Sequence, residues 1–211
     1  MKYLWASALI AGVMLGWEIP AASSAELGRW KPQEQAGATL SGAGATALQL
    51  AVFNPVQLFR ESYDVYGLRL NLPYGKNVSV YGADIGVFGW AANEAGALQL
   101  GVANRCGSLA GAQIGGLCNV VDKEMSGFQL AAFSMAGQLG NGLQLGVVNV
   151  SGENYSGVQI GGFNYGRGDV YGLQLGVVNV ATTMTGLQFG LLNFIWKSQF
   201  LTFAPILNGY F

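Results

Sequence analysis

Apolar and polar positions alternate with period two along most of this chain. In "GLQLGVVNV" (172–180), Leu173, Leu175 and Val177 alternate with Gly172, Gln174 and Gly176. Successive strand side chains point to opposite sides, so the pattern predicts strands and carries no 3.6-residue component. The pattern also repeats. Aligned on the Gln of "GLQLGVVN", equivalent positions are Gln49, Arg69, Asp84, Gln99, Gln113, Gln129, Gln144, Gln159, Gln174, Gln188 and Phe203, and after the first gap of twenty every interval is 14 to 16. Five residues after most of these stands Asn: Asn54, Asn104, Asn149, Asn164, Asn179, Asn193 and Asn208; Asn119 falls one residue late, and Ser134 substitutes in its unit. Turn formers such as "SGEN", "GRGD" and "GQLGNG" separate the units and hold most of the charges. The fold class expected is all-β, with the repeats over 45–211, an irregular lead-in over 26–44 and no second domain.

A fifteen-residue unit admits two architectures. It can be one strand plus a tight turn in an up-and-down antiparallel β-barrel. It can be one coil of a β-solenoid with units stacked in parallel. Strands of ten to eleven residues suit a bilayer crossing, and eleven units plus a lead-in strand make about 12, an even number. The apolar end "FLTFAPILNGYF" suits barrel closure better than a solenoid terminus, which needs a polar cap. The recurring Asn favours the solenoid, where it stacks as a ladder. So do the uniformly short connections, and Phe53, Phe133 and Phe163, which parity counting places on the Gln face. The barrel is the primary expectation and the solenoid the alternative. Under both, the leucines face core or lipid, so Arg at Leu173 or Leu175 is expected to harm assembly more than Arg at Gln174.

The N-terminus changes the compartment. Lys2, the apolar stretch 3–17 and the small residues up to Ala25 form a secretory signal peptide over 1–25. No later apolar run is long enough for a membrane-crossing helix. Charged residues are 10% and Gly 33 of 211, far from ordinary soluble composition. With a formal net charge of −1, nothing suggests the basic stripe that nucleic-acid binding needs, and no nucleic-acid partner is expected.

The units "GLQLGVVNV", "GVQIGGFNYGRGDVYGLQLGVVNV" and "GLQFGLLN", with "VYGLRLNLPYGKNVSVYGADIGVFGW" (65–90) and "APILNGYF" (204–211), resemble the short surface repeats of exported proteins from spirochaetes and other Gram-negative bacteria. The resemblance spans nearly the whole chain after residue 25. It implies a bacterial cell-surface or outer-membrane location, and it supplies no catalytic residues. Arg69 and Asp84 depart from its Gln pattern.

Candidate chemistry is sparse. Histidine is absent, which removes the commonest general base and zinc ligand together. No nucleophile stands in a motif beside a base, so neither catalysis nor a cofactor or metal is expected. Arg69 and Asp84 are candidates for a buried pair, favourable only when fully hydrogen-bonded. With Gln99, Gln113, Gln129, Gln144, Gln159, Gln174 and Gln188 they are the candidate lumen or polar-face residues, lining a channel or plugging it with amide hydrogen bonds. Trp90 and Trp196, with Trp30, are candidates for interfacial belts. Cys106 and Cys118 decide the fork in one direction: a barrel leaves them too far apart to bond, whereas a solenoid permits a disulfide. The expected function is structural or passive transport in contact with outer-membrane lipid. The alternative is a soluble or surface-bound solenoid that binds a polymer or protein partner of unknown identity.

Overall fold

The structure is a computed structural model that describes residues 44–53, 56–198 and 201–210. The expected signal peptide, Trp30 and nearly all of the lead-in lie outside the described residues. Eight strands follow one another without a helix: β1 (Gly44–Phe53), β2 (Val56–Gln57), β3 (Tyr63–Asn77), β4 (Val80–Val121), β5 (Glu124–Ala136), β6 (Leu139–Ser151), β7 (Asn154–Ile195) and β8 (Phe203–Tyr210). They form one sheet in the order β2-β1-β3-β4-β5-β6-β7-β8. From β1 through β3 to β7 the neighbours pair in parallel. Parallel pairing of sequence-adjacent units is impossible in a meander, so the fold is a β-solenoid and not the expected barrel. The 42-residue β4 and β7 each wind through more than one coil.

The register matches the repeat. Gln49 pairs with Arg69, Arg69 with Asp84, Gln113 with Gln129, and Gln129 with Gln144. Numbering each coil from this position as 0, four columns face inward: −4, 0, +5 and +7. Columns −4 and +7 are apolar or small. Val65, Val80, Leu109, Met125 and Tyr155 stand in the first, and Ala91, Cys106, Ala136 and Ile195 in the second; together they form the hydrophobic core. Volumes trade between coils. Tyr155 lies over Gly140, where any Cβ would fall 2.4 Å from the tyrosine ring.

Two corners shape each coil. At −2 a glycine takes positive φ, as in Gly142 (137°), Gly157 (143°) and Gly172 (134°). A Cβ on Gly142 would stand 1.9 Å from the Gly127 carbonyl oxygen. The second corner lies at +2 to +3, where the pairing skips from Ala131–Gly146 to Phe133–Val148 and from Gly146–Gly161 to Val148–Phe163. The skipped residue reverses parity. Phe133 and Phe163 therefore face outward at +4, where parity counting put them with Gln; Phe53's side chain lies outside the described residues. The coil of Gln113 has one extra residue at this corner, which accounts for the late Asn119: it still pairs with Ser134.

The ends differ from the coils. β2 pairs antiparallel with β1, and β8 pairs antiparallel with the last coil of β7. The eleventh unit is thus not a coil. Phe203, aligned by counting with Gln, pairs with Phe194, and Asn208 takes the place opposite Gln188.

Candidate functional site

The alternation along each coil places Gln inside, as the barrel reading did, and is inverted only relative to the solenoid reading, which put the leucines in the core. Gln99, Gln113, Gln129, Gln144, Gln159, Gln174 and Gln188 are fully buried, with Arg69 and Asp84 in the same column. Leu173 and Leu175 are half-exposed, and Val177 is 53% exposed. The leucines are therefore the outer surface and not the core. The physical reason is that each buried amide finds a partner in the next coil. Gln113 Nε2 donates to Gln99 Oε1 (2.7 Å), Gln129 to Gln113 (2.9 Å), Gln144 to Gln129 (2.8 Å), and Gln159, Gln174 and Gln188 continue at 2.7 Å. In Gln129, Gln144 and Gln188 the amide nitrogen also donates to the backbone carbonyl six residues on, as from Gln144 to Val150 at 3.3 Å, whereas Gln113 turns to Cys106 Sγ at 3.3 Å. Satisfied in this way, a buried amide loses the desolvation penalty that otherwise keeps it outside.

The Asn column explains itself at the corner. Asn149, Asn164 and Asn179 each donate to the next Asn at 2.8 Å. Their other proton caps the carbonyl just before the corner in the following coil: Ile160, Leu175 and Phe189, at 2.9 to 3.0 Å. These carbonyls are where the strand pairing breaks, so Asn supplies the donor that the ladder withdraws. Gln amides donate toward the N-terminal end and Asn amides toward the C-terminal end, so the two columns' dipoles oppose each other.

Asp84 receives the N-terminal end of the Gln ladder. Gln99 Nε2 donates to it (3.0 Å), as do Arg69 Nε (2.7 Å), Arg69 Nη2 (2.5 Å) and Asn71 Nδ2 (2.7 Å). Arg69 Nη1 donates to the Trp90 carbonyl at 2.9 Å. This buried pair meets the condition for being favourable, since every charge-bearing edge has a hydrogen-bonded partner. The structure thus gathers all the sequence-selected residues into one closed column, whose donors are spent on one another.

The surface is where the structure adds residues that sequence reasoning missed. Positions −1, +1, +3 and +4 form aliphatic rows running from coil to coil. Leu50 is 45% exposed, Val147 64% and Leu191 66%, with Leu70, Ile85, Leu130 and Ile160 also exposed along the +1 row. No coil places a charged side chain outward in this wall. Aromatic residues mark both of its margins. Tyr66, Tyr81 and Tyr171 stand at −3, the first two stacked at 4.9 Å; Trp90 and Tyr165 stand at +6, and Trp196 at +8. Lys76 and Arg105 share the +6 row with Trp90 and sit over its ring at 4.8 and 5.3 Å, Arg105 also pairs with Asp122, and the Tyr81 hydroxyl donates to Glu94 at 2.6 Å. The Tyr81 hydroxyl is pushed up to about 12, first by burial and then by this glutamate. The available signal was the variability of these rows: Leu, Ile, Phe and Val interchange there, while the inner column is Gln at every coil from Gln99 to Gln188.

The two cysteines are free, although a solenoid permits a bond. Cys106 faces the core and Cys118 is half-exposed at the outer +4 row, beside Phe133. The wall of the coil separates them. Among the described residues no group of three His, Cys, Asp or Glu could hold a metal ion, and no helix is long and apolar enough to cross a membrane. Compared with family models, curated proteins and solved structures, the chain matches none.

Proposed function

We propose that the protein is an exported, non-catalytic β-solenoid binding module at the bacterial surface, with its aliphatic wall as the contact surface. The observation that carries this reading is the facing of the coils: polar columns inside, uncharged and largely apolar rows outside. Contiguous exposed apolar surface on this scale marks an interaction site in a soluble-phase protein. The buried polar column offers no comparable site, because its amides, Arg69 and Asp84 bond one another. Export rests on Lys2, the apolar stretch 3–17 and the small residues that follow. Surface or outer-membrane location rests on the resemblance of the repeats.

Cell fractionation with and without detergent tests the reading. The protein is expected in the particulate fraction and released by detergent. Val147→Arg combined with Val177→Arg, both at exposed wall positions, is expected to become extractable without detergent while keeping its thermal unfolding midpoint. Extraction of the unsubstituted protein without detergent overturns the proposal.

A further inference from the structure

We propose that the occupant of the wall is the acyl region of a lipid leaflet, so that the solenoid lies in the membrane plane without crossing it. This rests on the reading of the wall as the contact surface and names what covers it. Three observations select lipid.

The first is zonation. Around the coil of Asp84 the surface runs from apolar rows to Tyr81 on one side and Trp90 on the other, with charged turns beyond; Tyr66, Tyr165, Tyr171 and Trp196 each mark one side of their own coils. That order is the one a leaflet presents from acyl chains to headgroups, with amphipathic rings at the boundary. The margin lies on both sides, as it must for a body lying in an interface.

The second is charge. The wall carries none, as hydrocarbon requires. At one aromatic margin two cations, Lys76 and Arg105, stand over the Trp90 ring. Headgroup phosphates are the complementary anions at that depth.

The third is shape. The rows at −1 and +1 and the row at +4 lie on either side of the corner marked by the pairing break. A second copy's flat face covers one side of such a corner and leaves the other wet. Fluid acyl chains cover both. The apolar surface also continues past the last coil, where Leu207 of β8 stands opposite Phe189.

The test is flotation of the full chain with vesicles of phosphatidylethanolamine and phosphatidylglycerol, read together with tryptophan fluorescence. The protein is expected to float, with emission shifted to the blue and quenched by brominated acyl chains, and Trp196→Phe is expected to remove part of that quenching. Val147→Arg with Val177→Arg is expected to lower partitioning by about tenfold or more, with an unchanged circular dichroism spectrum and melting curve. The double variant keeps residues 3–17, so flotation that survives it comes from that stretch and overturns the inference. Absence of flotation, combined with a self-associated species that the double variant dissociates, removes lipid as the occupant and leaves the wall as a contact surface. A protein that neither floats nor self-associates, and that is extracted from cells without detergent, overturns both.

Discussion

Ser134 is the one break in the Asn column between Asn104 and Asn193. Its hydroxyl and the Asn149 Oδ1 have no hydrogen-bond partner, and both residues are fully buried. Asn119, in the coil before, turns its protons to the Gln113 and Leu130 carbonyls. An amide at 134 would accept from Asn119 and donate to Asn149, as Asn164 and Asn179 do between their neighbours. Ser134→Asn is therefore expected to raise stability by about 1–3 kcal/mol, the cost of leaving a buried polar group unmade; a urea titration with an unchanged slope and a lower midpoint would refute this. The inverted faces also reverse the order expected for arginine scanning. Gln174→Arg places an uncompensated charge in a closed column and is expected to cost about 3–5 kcal/mol, whereas Leu175→Arg can reach water. Equal melting temperatures for the two variants would contradict the assignment of Gln inward. The thiols give an independent reading of the same faces. Burial raises both Cys106 and Cys118, and Cys106 more. A neutral thiol favoured by the fold stabilises it fully below the unfolded thiol's value of about 8.5, and that contribution is lost as pH rises above it. Native-state labelling is expected to modify Cys118 alone, with Cys106 reacting only on unfolding; simultaneous labelling of both in the native state would show that the core column is open.

At the scale of the element, the coil was legible in its length, whereas its polarity was legible only under the barrel reading, which put Gln inside, and not under the solenoid reading, which put the leucines there. The intervals of 14 to 16 reappear as the separations of the hydrogen-bonded glutamines. Period-two alternation, however, has two phases, and it says nothing about which is inside. Burying leucine is the ordinary choice because a lone strand's amides would be left unpaired. Stacked identical coils remove that objection, since each Gln meets another Gln. The letter that holds from Gln99 to Gln188 is then the buried one: an amide ladder demands identity, while an exposed apolar row demands only shape, and Leu130, Ile160 and Phe189 share one row. The corner hid the rest. Parity counted through Gly146 and Val147 fails because the pairing skips a residue there, so Phe163 was placed on the wrong side. The Arg69–Asp84 pair was legible, because a charge in each of two successive ladder positions has one evident partner.

At the scale of the whole molecule, a solenoid's difficulty lies at its ends, where a coil exposes a row of unpaired backbone groups able to template another chain. This chain closes both ends by reversing direction. Gln49 spends its amide on the Phe59 backbone, at 2.8 and 2.9 Å, beside the short antiparallel β2. At the other end β8 runs antiparallel along Gly186–Phe194, and Asn208 donates to the Asn193 carbonyl at 3.4 Å. Counting placed Phe203 as one more repeat because its spacing from Gln188 is fifteen; the reversal has no signature in spacing. β8 makes a poor template for further growth, since Pro205 lacks a backbone donor and Ile206 takes a positive φ of 68°. The last coil of β7 has neither feature. Removing residues 199–211 should therefore expose a regular edge, with Gln188 Oε1 already lacking a donor in the ladder. The truncated chain is expected to assemble end to end into species that grow with concentration and give a cross-β signal, and Val147→Arg with Val177→Arg should not prevent it, because growth along the axis leaves the wall untouched. A truncated protein that remains at the molecular mass of a single chain at all concentrations would show that β8 is not the cap.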